Sequence, residues 1–230
     1  MIKQTLCPDP QALAESLAEH IAGLLTAAIA EHGQASLVLS GGRTPKRLFA
    51  ILSTYDLAWQ NVKITLADDR LVPRDHADHN AGLVRQVLLQ NHAAKAQFFP
   101  LWDGSGDAQS VALETLSHFP KAFDILLLGM GEDGHTASLF PDAPGLASAL
   151  DPKGEASIFL VPETPNRQAR ISLSLSRLLH SRHILLAFEG EAKQAVLNRA
   201  LTDGPETELP IRAILRHSPV PVELFRAATT

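Results

Sequence analysis

Phe123 to Pro141 reads FDILLLGMGEDGHTASLFP, and the fold turns on its first half. From Phe123 to Leu128 a single Asp interrupts an apolar run that shows no alternation. A run this short and this continuously apolar suits a strand buried on both faces of a parallel sheet. The character then changes abruptly to Gly129, Gly131 and Gly134 interleaved with Glu132, Asp133 and His135. In open α/β sheets the loops at the carboxyl ends of strands carry the ligand sites, because helix N-termini converge there.

Outward from this block the same pattern recurs. SLVLS from Ser36, VKITLA from Val62, SIFLV from Ser157 and HILLAF from His183 are further strand-length apolar runs, and PVELF from Pro221 predicts one more strand, at an edge. Between most of them lie segments with helical periodicity, including TPKRLFAILS, NAGLVRQVLLQNH, AQSVALETLSHF and EAKQAVLNRAL. Ahead of them all, Leu13, Leu17, Ile21, Leu24, Leu25 and Ile29 recur at the spacing of one helix face. Strands alternating with helices predict an α/β fold with a mostly parallel central sheet and helices on both faces. The Pro- and Gly-rich stretch from Phe140 to Ser157 is expected to be an extended loop, and residues 1–230 to form one domain.

Composition narrows the function classes. A formal net charge of -5 argues against a nucleic-acid partner, since polyanion binding needs a basic surplus. Cys7 is the only cysteine, so no intrachain disulfide is possible, and a cytoplasmic location is expected. The N-terminus lacks a basic segment followed by an apolar run, and no apolar stretch of about 20 residues is apparent, so neither export nor membrane insertion is expected.

The segments that follow the five strands are GGRTPKR, DDRLVPR, GMGEDGH, PETPNRQAR and EGEAK. They hold eight of the 20 Lys and Arg residues: Arg43, Lys46, Arg47, Arg70, Arg74, Arg167, Arg170 and Lys193. Polar chemistry is thus concentrated on one rim. The first segment has the makings of an anion site: after Ser40, Gly41 and Gly42 allow a tight turn with exposed amides, Thr44 is a suitable N-cap and Pro45 a suitable first helical residue. A helix N-terminus there would favour a phosphate, with Arg43 in support. The glycines at 129, 131 and 134 match GxGxxG, the turn of dinucleotide-binding proteins. However, Pro141 interrupts the long helix that motif requires, and Glu132 and Asp133 would face the pyrophosphate. They instead let the backbone pass close to a ligand while presenting His135, at the start of a short predicted helix HTASLF. A helix N-terminus disfavours imidazolium, whereas the two carboxylates favour it, and sequence does not decide between them. His76, Asp78 and His79 lie close together, but a solvated loop is a simpler reading than a metal site.

Five blocks together resemble the bacterial 6-phosphogluconolactonases, within the wider superfamily of glucosamine-6-phosphate isomerase/deaminases. They are LSGGRTPKRLF, DDRLVPRDHADHNAGLVRQVLL, FDILLLGMGEDGHTASLFP, ETPNRQARISLSL and FEGEAK, and they extend from about Ser36 to Lys193. The resemblance implies a Rossmann-like fold, no cofactor and no metal, and hydrolysis of 6-phosphogluconolactone to 6-phosphogluconate. It implies His135 as catalytic base with Asp133 in the same loop, and substrate contacts from Asp69, Arg70, Gly131, Arg170 and Lys193. The turn of Ser40, Gly41, Gly42, Arg43 and Thr44 would take the phosphate. The expected partner is a small sugar-phosphate lactone, met by a monomer or weak homo-oligomer without nucleic acid or membrane. Deaminases of the superfamily carry a Glu five residues after the histidine, where this chain has Phe140. A sugar-phosphate sensor would need the anion turn but not His135.

Overall fold

The computed structural model describes residues 2–228. Among them run ten strands: β1 (Ile2–Cys7), β2 (Ala35–Leu39), β3 (Val62–Leu66), β4 (Asp68–Arg70), β5 (Gln97–Phe98), β6 (Phe123–Leu128), β7 (Ile158–Val161), β8 (Arg170–Leu173), β9 (Ser181–Glu189) and β10 (Val222–Ala227). The helices are α1 (Pro10–His32), α2 (Arg43–Leu52), α3 (Asn80–Leu83), α4 (Ala108–Ser117), α5 (Leu146–Ala149), α6 (Leu175–Leu179), α7 (Glu191–Ala200) and α8 (Ile211–His217).

Seven strands form one parallel sheet in the order β1-β10-β9-β6-β2-β3-β5. Every residue of β2 and of β6 is buried, as an apolar run without alternation requires when helices cover both faces. A buried polar lock sets the start of this pair. The Asp124 carboxylate accepts from the backbone N–H of Ser36 at 2.8 Å and from its hydroxyl at 2.7 Å.

α1 begins where Asp9 accepts from the amides of Gln11 and Ala12, with Pro10 in the first turn, and it ends at Gly33 in the left-handed conformation. By length and composition α1 could cross a membrane, with a mean hydropathy of 1.3, so a stretch of spanning length does exist. Leu13, Leu17, Ile21 and Leu25 are instead fully buried against β1, β2, β6 and β10, which makes this helix part of the core.

Several expectations are corrected. β10 lies inside the sheet rather than at its edge, because β1, absent from the sequence reading, pairs outside it. The strand from Ser157 exists as β7 but belongs to a second, antiparallel sheet, β4-β8-β7. Its apolar run is not doubly buried, since Leu160 is 40% exposed. α5 interrupts the predicted loop after Phe140, and the predicted helix from Asn80 is α3 continued by a π-helical turn at Val84–Leu88. HTASLF is no helix: Thr136 and Leu139 close a tight turn by a β-bridge, with Ala137 at φ 47°.

Candidate active site

The carboxyl ends of β2, β6 and β9 open into a cleft of about 640 Å³. Ser40, Gly41, Gly42 and Thr44 line one side, Gly131, Glu132 and His135 another, and Arg70, Arg170 and Lys193 complete the wall. All five segments that the sequence placed on one rim therefore do converge. Arg47 also reaches the cleft and pairs with Glu189 at 3.4 Å, whereas Lys46, Arg74 and Arg167 do not line it.

Helix α2 starts at Arg43 with Gly42 as its N-cap, and no side chain caps its first turn. Thr44 and Pro45 thus each lie two residues deeper in the helix than predicted. Its leading amides remain available to an anion. Gly42 has φ 120° and ψ -172°, a conformation that essentially only glycine adopts. Gly41 is needed for a different reason: a Cβ there would run into the side-chain amide of Asn80. The Ser40 hydroxyl is directed to the Leu127 carbonyl at 3.1 Å, tying β2 to β6 at the cleft floor. The side chain of Arg43, expected to support the phosphate, lies outside the described residues.

In the histidine loop, Asp133 Oδ1 lies 2.5 Å from His135 Nδ1 and accepts from the His135 backbone N–H at 3.1 Å. A carboxylate in that position accepts a hydrogen bond from Nδ1–H, which leaves Nε2 as the basic nitrogen of the neutral ring. Burial raises the Asp133 carboxyl, but the bonds from His135 outweigh it and hold the group below its ordinary range. HTASLF forms no helix, so no helix dipole acts on this pair. Gly131 makes room for the pair, because a Cβ there would overlap both the His135 ring and Asp133. Its own N–H donates to the His135 carbonyl at 2.9 Å.

Arg70 and Arg170 arrive by a route that sequence did not anticipate. After β3 the chain leaves the parallel sheet at Ala67, which accepts from Leu173 N–H, and continues as β4 paired antiparallel with β8. Arg70 and Arg170 stand directly opposite in that register. Burial, and then the charge of Arg70, lower the pKa of Arg170. Each like-charged neighbour disfavours the other's charged form.

Asp69 does not line the cleft. It is fully buried, and it accepts from the backbone N–H groups of Arg70, Asn80 and Ala81 at 2.8, 2.7 and 3.0 Å. It therefore acts from beneath, anchoring β4 to the start of α3. His79 lies 3.5 Å from it, its side chain equally buried. Among the described residues no three His, Cys, Asp or Glu side chains gather as a metal site would require.

Sequence reasoning missed Asn80. Its Oδ1 accepts from Arg70 Nη1 at 2.5 Å and its Nδ2 donates to the Asp68 carbonyl at 3.0 Å, so it aims the guanidinium while packing on Gly41. Asp68, which the sequence suggests only as an anchor for Arg70, is a cleft residue whose carboxylate accepts from Ser138 Oγ at 2.6 Å. An Asn at a helix start was a visible signal; its ten-residue reach to Arg70 was not.

The family described as "Glucosamine-6-phosphate isomerases/6-phosphogluconolactonase" matches residues 8–222. A 6-phosphogluconolactonase of Mesorhizobium japonicum is 44% identical over 96% of this chain and 93% of its own. One from Pseudomonas aeruginosa is 45% identical over 88% of this chain and 87% of its own. Among solved structures, a 6-phosphogluconolactonase from Shewanella baltica superposes with a TM-score of 0.93 at 41% identity, covering 99% of this chain and 98% of that one. A monomeric glucosamine-6-phosphate deaminase, 18% identical with a TM-score of 0.79, covers 98% and 97% and shares the fold. The chain belongs to the glucosamine-6-phosphate isomerase/6-phosphogluconolactonase family.

Proposed function

We propose that this chain is a cytoplasmic lactonase that hydrolyses 6-phospho-D-glucono-1,5-lactone to 6-phosphogluconate in the oxidative pentose phosphate pathway. The observation that carries the reading is the His135–Asp133 pair standing in the same cleft as the uncapped start of α2. Relatives named 6-phosphogluconolactonase at 44 and 45% identity support the substrate.

The phosphate docks on the amides of the Gly41–Thr44 turn, with Lys193 across the cleft, and this fixes the sugar ring. His135 Nε2 takes a proton from water as its oxygen attacks the lactone carbonyl. Asp133 stabilises the imidazolium that forms. The tetrahedral oxyanion is met by an arginine of the Arg70/Arg170 pair or by a loop amide. As the bond from the carbonyl carbon to the ring oxygen breaks, the imidazolium returns its proton to that oxygen. The product is an open-chain acid. Phe140 makes no carboxylate available for ring-opening isomerisation, which favours the lactonase over the deaminase.

The test is acid release from freshly prepared lactone against a buffer blank, beside an assay for ammonia release from glucosamine 6-phosphate. The wild-type chain accelerates the first and not the second. His135→Ala is expected to lower kcat by about 10²- to 10⁴-fold, while 6-phosphogluconate affinity changes little. Near-normal turnover in a folded His135→Ala protein would refute the mechanism, and no acceleration by the wild type would favour a sensor.

A further inference from the structure

Phe140, at the end of the histidine loop, carries no charge and yet touches three basic side chains. Its ring is 7% exposed. The ring centre lies 4.5 Å from that of the His135 imidazole, tilted by 42°. The guanidinium carbon of Arg167 lies over the same ring at 4.3 Å, and that of Arg170 at 5.6 Å.

The two arginines are poorly served by other groups. Arg167 Nη1 pairs with the exposed Asp142 at 2.7 Å, but its Nε and Nη2 are buried without a protein partner, as is the Nε of Arg170. Buried donors without acceptors are costly, and the negative face of an aromatic ring offsets part of that cost. A carboxylate at position 140 would satisfy the donors more fully, but it would also cancel the charge that Arg170 presents to the cleft. An aliphatic side chain would fill the space and leave the guanidiniums bare.

We propose that Phe140 is a positioning residue, whose ring holds Arg167, Arg170 and the His135 imidazole in one working arrangement while adding no carboxylate to offset the charge that Arg170 presents to the anionic substrate. The proposal rests on His135 and Arg170 working on the lactone as described above. It adds that their alignment comes from a shared aromatic surface, with Arg167 acting from behind the cleft wall through that ring.

Steady-state kinetics on two substitutions test it. Phe140→Leu keeps the apolar bulk and removes the π face; Phe140→Tyr keeps the face. Phe140→Leu is expected to raise KM by about tenfold and to lower kcat by a similar factor, the scale of losing partly desolvated cation–π contacts. Phe140→Tyr is expected to stay within about threefold of wild type. A cycle with Arg167→Met adds a readout that simple loss of packing would not move. Because Arg167 acts through the ring, the double variant is expected to be no worse than the worse single one. Additive losses in the cycle, an unchanged KM in Phe140→Leu, or a folded Phe140→Tyr as impaired as Phe140→Leu would overturn the proposal. Should Phe140→Leu not fold, Phe140→Met takes its place with the same expectations. A failure of the underlying reading looks different, because it would appear as near-normal turnover in His135→Ala.

Discussion

His135 is oriented by one neighbour two residues away. The 2.5 Å contact between Asp133 and Nδ1 settles which nitrogen is free, and a methyl on Gly131 would displace both partners. Asp133→Asn keeps the shape but loses the charge that stabilises imidazolium, and its amide can present N–H to Nδ1 and reverse the tautomer. We expect kcat to fall by about 10²-fold or more with 6-phosphogluconate binding little changed, measurable by kinetics and calorimetry. Binding lost in parallel with kcat would make Asp133 a structural support of the cleft instead. The sequence displayed this pair openly, because both members lie in one short loop.

At the scale of elements, the decisive object is the junction of β2 and α2. Gly42 has room for a methyl group, its nearest prospective neighbour being Pro45 Cδ at 3.8 Å. Space is therefore not what demands glycine; φ 120° is. Gly42→Ala is expected to cost about 1–3 kcal/mol of stability through backbone strain. It should also raise KM for the phosphorylated lactone while leaving the slow turnover of unphosphorylated gluconolactone nearly unchanged. Thermal melts and parallel assays of the two lactones check this, and an equal effect on both would remove the phosphate from the Gly41–Thr44 turn. The second junction, between β3 and β4, was illegible in the sequence. Asp68 to Arg70 read as a loop after a parallel strand, and nothing local announces that three residues will pair antiparallel with Arg170 to Ser172.

Across the whole molecule, β4 of the smaller sheet is tied to the start of α3 beneath the cleft by Asp69. Burial pushes its carboxyl up to about 7, against the three backbone amides that favour the ionised form. His79 beside it is lowered, by burial first and then by the charges of Arg85 and Arg74. For Asp69 the folded value exceeds the unfolded one, so between about pH 4 and pH 7 the native state binds more protons than the unfolded chain. This group's contribution to stability therefore declines as pH rises through that window. Asp69→Asn cannot titrate. The stability difference between wild type and Asp69→Asn, from urea unfolding at several pH values, should favour the wild type most near pH 4 and shrink toward pH 8. A difference that stays flat would show that the carboxyl remains ionised throughout.

What the sequence determined by itself was the set of elements whose burial is decided locally. The doubly buried β2 and β6 announced themselves by apolar runs without alternation, α1 by its helical stripe, and the polar rim by the glycines and charges that end each run. The His135–Asp133 pair and the glycine turn ahead of α2 were readable for the same reason, since each is built from neighbours in the chain. Only the tertiary structure decided the rest. It placed β10 inside the sheet, sent β7 and β8 into a separate antiparallel layer, brought Arg170 opposite Arg70, put Asp69 beneath the cleft and set Asn80 against Gly41. Each of these depends on pairing or packing between segments distant in sequence, and hydrogen-bond register across such gaps leaves no periodic trace in either segment alone.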